Sequence, residues 1–183
     1  SAPASPCFGP EASSTARSVM NPGGVRADLP AGPLSFGQVY EVLPFDNTVA
    51  VLQLTGSELR RLLELAHDSD RGAVFAVSGL EVTLARCPGP HRLQDVTLEG
   101  GRPLEPGRMY RVAVPDFLAR GGDGLAPVTG ALPPERANLT PVQGMDLRLA
   151  LIAYGKSRGG TFTAPPLGRV RYTGVAECPA APR

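Results

Sequence analysis

Histidine is nearly absent: His67 and His91 are the only two in 183 residues. A hydrolytic two-metal centre draws on several His, Asp and Asn ligands. Neither histidine stands in Asp-x-His, Gly-Asn-His or His-x-His spacing, and no Ser-His-Asp set or glycine-rich phosphate loop is present. The chain alone is therefore expected not to hydrolyse phosphoesters. Tryptophan is missing and aromatics are 5% of the chain, whereas glycine (22) and proline (20) are plentiful. That balance predicts a turn-rich fold, with the prolines as punctuation and not as a repeat. No run of basic residues occurs and the net charge is +1, so a nucleic-acid backbone is not expected as a partner. No stretch reaches the roughly 20 apolar residues of a membrane span, and residues 1–20 lack the basic start and apolar core of a signal peptide.

Three cysteines, Cys7, Cys87 and Cys178, fit no zinc motif. They suggest one disulfide and one thiol. Cys7–Cys178 is the favoured pair, since it ties down both ends, with Cys87 as an alternative partner. The chain starts at Ser1 without Met, which suggests a processed or excised fragment. Its length suits one domain with a sizeable core.

Ala16–Met20 reads as a strand entering the Asn21-Pro22-Gly23-Gly24 turn. Leu34–Leu43 spaces Phe36, Val39, Tyr40 and Leu43 as a short amphipathic helix, and Pro44 ends it. Thr48–Leu54 has the composition of a buried strand. Thr55-Gly56-Ser57-Glu58 is a capping box, followed by Leu59, Leu62, Leu63 and Ala66 at helical spacing. Arg60, Arg61 and Glu64 then fall on the wet face. Between Ala73 and Leu98 the period drops to two, predicting a strand meander with turns at Ser78-Gly79 and Pro88–Pro90. Met109–Val114 is a further strand, 126–141 a proline-rich loop, Gly144–Tyr154 a second long helix, and Val170–Tyr172 a late strand. The sum is an α+β domain with mostly antiparallel strands. Residues 1–15 are expected to be a flexible segment, 16–174 the domain and 175–183 a tail.

Several residues carry candidate chemistry. Asn21 can donate and accept, as a base edge requires, or simply cap a turn. Gly23 and Gly24 expose backbone amides. Arg26 suits a phosphate, or a surface pair with Asp28. Phe45 and Phe117 sit at element edges, where two rings could clamp a planar base or, as single rings more often do, join a core. Asp123, inside Gly121-Gly122-Asp123-Gly124, can accept from two vicinal hydroxyls. Calcium is not expected there, because no other carboxylate recurs at ligand spacing.

These words, in this order, resemble the C-terminal, substrate-binding domain of 5'-nucleotidases and related UDP-sugar and cyclic-nucleotide hydrolases. The resemblance runs through NPGGVRADL, FGQVYEVLPFDNTVAVLQLTGSELRRLLE, YRVAVPDFLARGGDG and DLRLALIAY, from Ala16 to Tyr172. It implies a layered α/β/β/α fold that binds a nucleotide or nucleoside. Phe45 and Phe117 would sandwich the base, Asn21 and the backbone near Gly23 would contact it, Asp123 would hold the ribose, and Arg26 would reach the phosphates. It also implies no cofactor in this chain, a divalent metal pair on a metallophosphoesterase domain N-terminal to this segment, and export to a periplasmic, cell-surface or secreted location. Pro22 stands where the family turn carries glycine. Ser1–Thr15 replaces a helix bearing a further phosphate-binding arginine, a position that Arg17 does not match. A stand-alone binding or interaction module that kept the fold and lost the chemistry is the competing expectation.

Overall fold

A computed structural model describes residues 17–67, 74–87, 91–138, 146–163 and 168–174. In chain order its elements are β1 (Arg17–Met20), α1 (Phe36–Val42), β2 (Val49–Thr55), α2 (Gly56–His67), β3 (Ala76–Ser78), β4 (Leu80–Ala85), β5 (Arg92–Leu98), β6 (Arg102–Pro103), β7 (Met109–Pro115), α3 (Asp116–Ala119), α4 (Ala126–Thr129), β8 (Ala137–Asn138), α5 (Leu147–Ser157) and β9 (Val170–Thr173). The expected α+β class holds. One sheet runs β3-β1-β7-β2-β8 and the other β6-β5-β4-β9. Two pairs, β1 with β7 and β4 with β9, are parallel; the other pairs are antiparallel.

The core forms around α2. Its Leu59, Leu62, Leu63 and Ala66 are buried, as their spacing predicts. They face β2 and β7 of the first sheet and β5 of the second. Leu52, Leu54, Val112 and Val114 complete the cluster from one side, and Val82, Leu84 and Val96 from the other. The capping box forms as read: Thr55 N donates to Glu58 Oε2 at 2.8 Å, and Glu58 N donates to Thr55 Oγ1 at 3.2 Å. Arg136, just before β8, adds an ion pair to the same carboxylate and bonds to Gln53 O. Thr55→Ala is expected to cost about 1 kcal/mol of stability, the ordinary loss for an N-cap. Urea unfolding that leaves the midpoint unchanged would show that Arg136 alone holds this corner.

Several expectations are corrected. The Ser78-Gly79 turn does not continue a meander but carries the chain from the first sheet (β3 on β1) to the second (β4 on β5). The loop expected over 126–141 contains α4 and β8. In α1 the buried residues are Val39 and Val42, while Phe36 and Tyr40 are exposed, so the inward stripe is narrower than the spacing implied. The helix start is also more strongly specified, because Ser35 and Gln38 form a second capping box. In α5 Leu149 and Tyr154 are exposed, and the buried positions are Arg148 and Gly155. Cys87 is disulfide-bonded, which displaces the favoured Cys7–Cys178 pairing; both of those cysteines lie outside the described residues. Segments 1–15 and 175–183 also lie outside them.

Candidate functional site

The parallel pairing of β1 with β7 and the antiparallel pairing of β2 with β7 bring three strand ends to one edge of the first sheet. Met20 ends β1, Pro115 ends β7, and Val49, opposite Pro115, begins β2. The segments holding the candidate residues all leave from this edge.

Hydrogen bonds join these segments pairwise. Arg26 N donates to Val42 O at 2.9 Å, tying the turn after β1 to the end of α1. Thr48 N donates to the Asp116 carboxylate at 3.0 Å while Asp116 N donates to Thr48 O at 2.9 Å, fastening the Phe45 loop to the start of α3. Asn21 Nδ2 donates to Asp123 Oδ2 at 2.7 Å, closing the ring of contacts across 102 residues of sequence. Three words far apart in the chain thus become one surface.

Phe45 and Phe117 are 47% and 43% exposed, far from the values of core rings. No ring contact joins them among the described residues. The Phe117 ring lies so close over Gly122 that a Cβ there would stand 2.4 Å from it. A side chain at that position would displace the ring. Beyond it Asp123 adopts a left-handed backbone, φ 52° and ψ 31°, a region that Asp enters more easily than most residues. Asn21 is 5% exposed, and one of its two amide N–H groups donates to Asp123 and braces that carboxylate. Its Oδ1 is buried without a partner beside Gly24. Gly23 lies exposed in the short turn Pro22–Gly24. Arg26 is exposed and makes no ion pair with Asp28 among the described residues, so the alternative expected for it is not realised.

The sequence reading missed a supporting group behind Phe45. The Arg148 guanidinium donates to Asp46 Oδ1 and Asp146 Oδ2, each at 2.6 Å, and lies 4.9 Å from the Tyr40 ring centroid. Arg148, above all through its side-chain bond to Asp146, holds that carboxyl below its ordinary value. Leu147 N donates to Asn47 O at 3.0 Å. The start of α5 is therefore fastened to residues 46 and 47, directly after Phe45. An Asp before an apolar helical run is an N-cap signal, and Asp146 was legible on that ground. Asp46 and Arg148 carried none, since their pairing spans 102 residues.

Two surface clefts, one between the start of α2 and the β5–β6 hairpin and one beside α4, share no residue with the predicted set. Among the described residues no three His, Cys, Asp or Glu side chains gather as a metal site would need, and no helix is long and apolar enough to cross a membrane.

The chain matches a family model and several known proteins. The family model of the 5'-nucleotidase C-terminal domain matches residues 11–130. The chain is 35% identical over 130 residues to the trifunctional nucleotide phosphoesterase protein YfkN of Bacillus subtilis (strain 168), covering 66% of this chain and 9% of that protein. It is 29% identical over 170 residues to the cell wall protein Lmo0130 of Listeria monocytogenes, covering 87% of this chain and 21% of that one. The crystal structure of a 5'-nucleotidase precursor from Thermus thermophilus superposes with a TM-score of 0.75 at 31% identity, over 88% of this chain and 32% of that one. The chain thus spans 9% to 32% of the length of these relatives.

Proposed function

The chain belongs to the family of 5'-nucleotidase C-terminal domains, and on that premise we propose that the joined edge of its first sheet binds a nucleoside or nucleotide. Phe45 and Phe117 stack on the two faces of the base, Asp123 accepts from the ribose hydroxyls, and Arg26 reaches the phosphates. Asn21 and the backbone near Gly23 contact the base, and one of the two Asn21 amide N–H groups braces Asp123. Cleavage belongs to a metal-dependent catalytic domain N-terminal to this segment, where a divalent metal pair would polarise the phosphate and supply the nucleophile. The protein is exported; the bonded Cys87 and a relative named as a cell wall protein support that.

The observation that carries this proposal is the set of bonds from Arg26 to Val42, Thr48 to Asp116 and Asn21 to Asp123, which brings two half-exposed rings, a carboxylate and an exposed cation to one edge. Calorimetric titration with adenosine and with AMP tests it. Both are expected to bind saturably. Arg26→Ala is expected to weaken AMP by about tenfold, as loss of a charge-assisted contact does, and to leave adenosine unchanged. A folded sample that binds neither ligand would favour the interaction-module alternative.

A further inference from the structure

Arg17 opens β1 with only 7% of its surface exposed, and its Nε is buried without a hydrogen-bond partner. Among the described residues its guanidinium forms no ion pair. It lies 4.8 Å from the centroid of the Tyr110 ring, and Arg108 approaches the same ring at 5.9 Å. Glu105 is near, but its carboxylate is engaged by Arg108 at 3.1 Å, and its backbone N–H donates to Tyr110 Oη. Burial, before any other cause, holds the Arg17 pKa below its ordinary value; Tyr110 opposes that, and Arg108 and Arg102 add to it.

Buried charges in proteins are ordinarily paired, because losing water costs a cation more than a ring face returns. Two further guanidiniums add repulsion. Structural packing on Tyr110 explains where the Arg17 stem lies but not why two guanidiniums share one ring with a single carboxylate, already engaged, beside them. An anion would resolve the imbalance, and a guanidinium fork matches the paired oxygens of phosphate and carboxylate.

We propose that Arg17 and Arg108 form a binding site for a small oxyanion, a phosphate group or a carboxylate, beside Tyr110. The site lies where β1 and β7 begin, at the end of the first sheet opposite Phe45, Phe117 and Asp123. It is therefore separate from Arg26 and from the proposed nucleotide site.

The test is nuclear magnetic resonance of the 15N-labelled chain, titrated with inorganic phosphate, acetate or chloride at constant ionic strength. The reporters are the Arg17 Nε–H and the Tyr110 amide. Saturable shifts with phosphate and acetate but not with chloride are expected. The tighter of the two distinguishes a phosphate group from a side-chain carboxylate as the natural occupant. Arg17→Met keeps the stem over Tyr110 and is expected to weaken the anion by about tenfold or more at the Tyr110 reporter. Arg108→Ala, at an exposed position, is expected to weaken it less while leaving the fold intact. An equal response to chloride, or unchanged affinity in both variants, overturns the proposal. Because the probes are inorganic phosphate and acetate, and Tyr110 is remote from the clamp, failure of adenosine to bind would not alter the result.

Discussion

Removal of the Phe117 ring is expected to lower adenosine affinity about 5- to 150-fold, the range that corresponds to one base–aromatic stack. The ring is 43% exposed, so truncation should cost the fold only on the order of 1 kcal/mol. Binding and folding therefore separate. Phe117 also covers Gly122, one residue before Asp123, and its loss loosens the turn that presents the carboxylate. Phe117→Leu distinguishes the two effects: it keeps apolar volume over Gly122 but offers no ring face. If stacking dominates, Leu and Ala weaken adenosine alike; if support of the turn dominates, Leu restores most of the affinity. Phe45→Ala has no such second role, because its loop is held from behind by Asp46 and Arg148 and beyond it by Thr48 and Asp116. In calorimetry, wild-type affinity in both single variants and in the double variant would remove the clamp from consideration.

What was legible in the chain was local. The Thr55–Glu58 box, the leucines behind it and the strand before it all form within a few residues of themselves, and each formed as read. The three site words were legible as words because glycine, proline and edge aromatics are unusual together. Their meeting was not, since it depends on which strands share a sheet. A period of two tells which residues share a face of a strand, not which sheet the strand joins. Hence Ala76 and Val82, on either side of Gly79, read as one meander and lie in two sheets, and in the first it is Val77, not Ala76, that is buried. Helical spacing likewise marked Phe36 and Tyr40 as inward, but a stripe faces inward only if something stands before it. In α1 the supported side is that of Val39 and Val42, and Tyr40 instead stacks with Arg148. Asn21 was read for its capacity to meet a base. That one of its two amide N–H groups also braces Asp123, 102 residues away, was not legible, because no local word reveals that pairing.

His67 gives the second large expectation, an acid-sensitive fold. It ends α2 with no exposed surface, lies edge-on to Phe75 at 6.1 Å, and has no hydrogen-bond partner at either ring nitrogen. A helix C-terminus favours a protonated imidazole. Burial opposes that, repulsion from the His91 charge adds to it, and together they bring the pKa down from 6.5 to about 4. Between these values the unfolded chain binds a proton that the folded chain refuses, so stability rises with pH through that window. The contribution is fully present above about pH 6.5 and is lost progressively as the pH falls toward about 4. Its size, at about 1.4 kcal/mol for each pH unit of displacement, is on the order of 3 kcal/mol. The carboxylates of Glu58, bonded first by Arg136, and Asp146, bonded first by Arg148, are both held below their ordinary values of 4.5 and 3.8. Their losses come at more acid pH, which leaves the upper part of the window to histidine. Urea unfolding of wild type and His67→Leu from neutral pH to about pH 5 separates the causes. The wild type should lose stability steadily while His67→Leu stays nearly level; parallel curves would mean that the proton is taken up elsewhere.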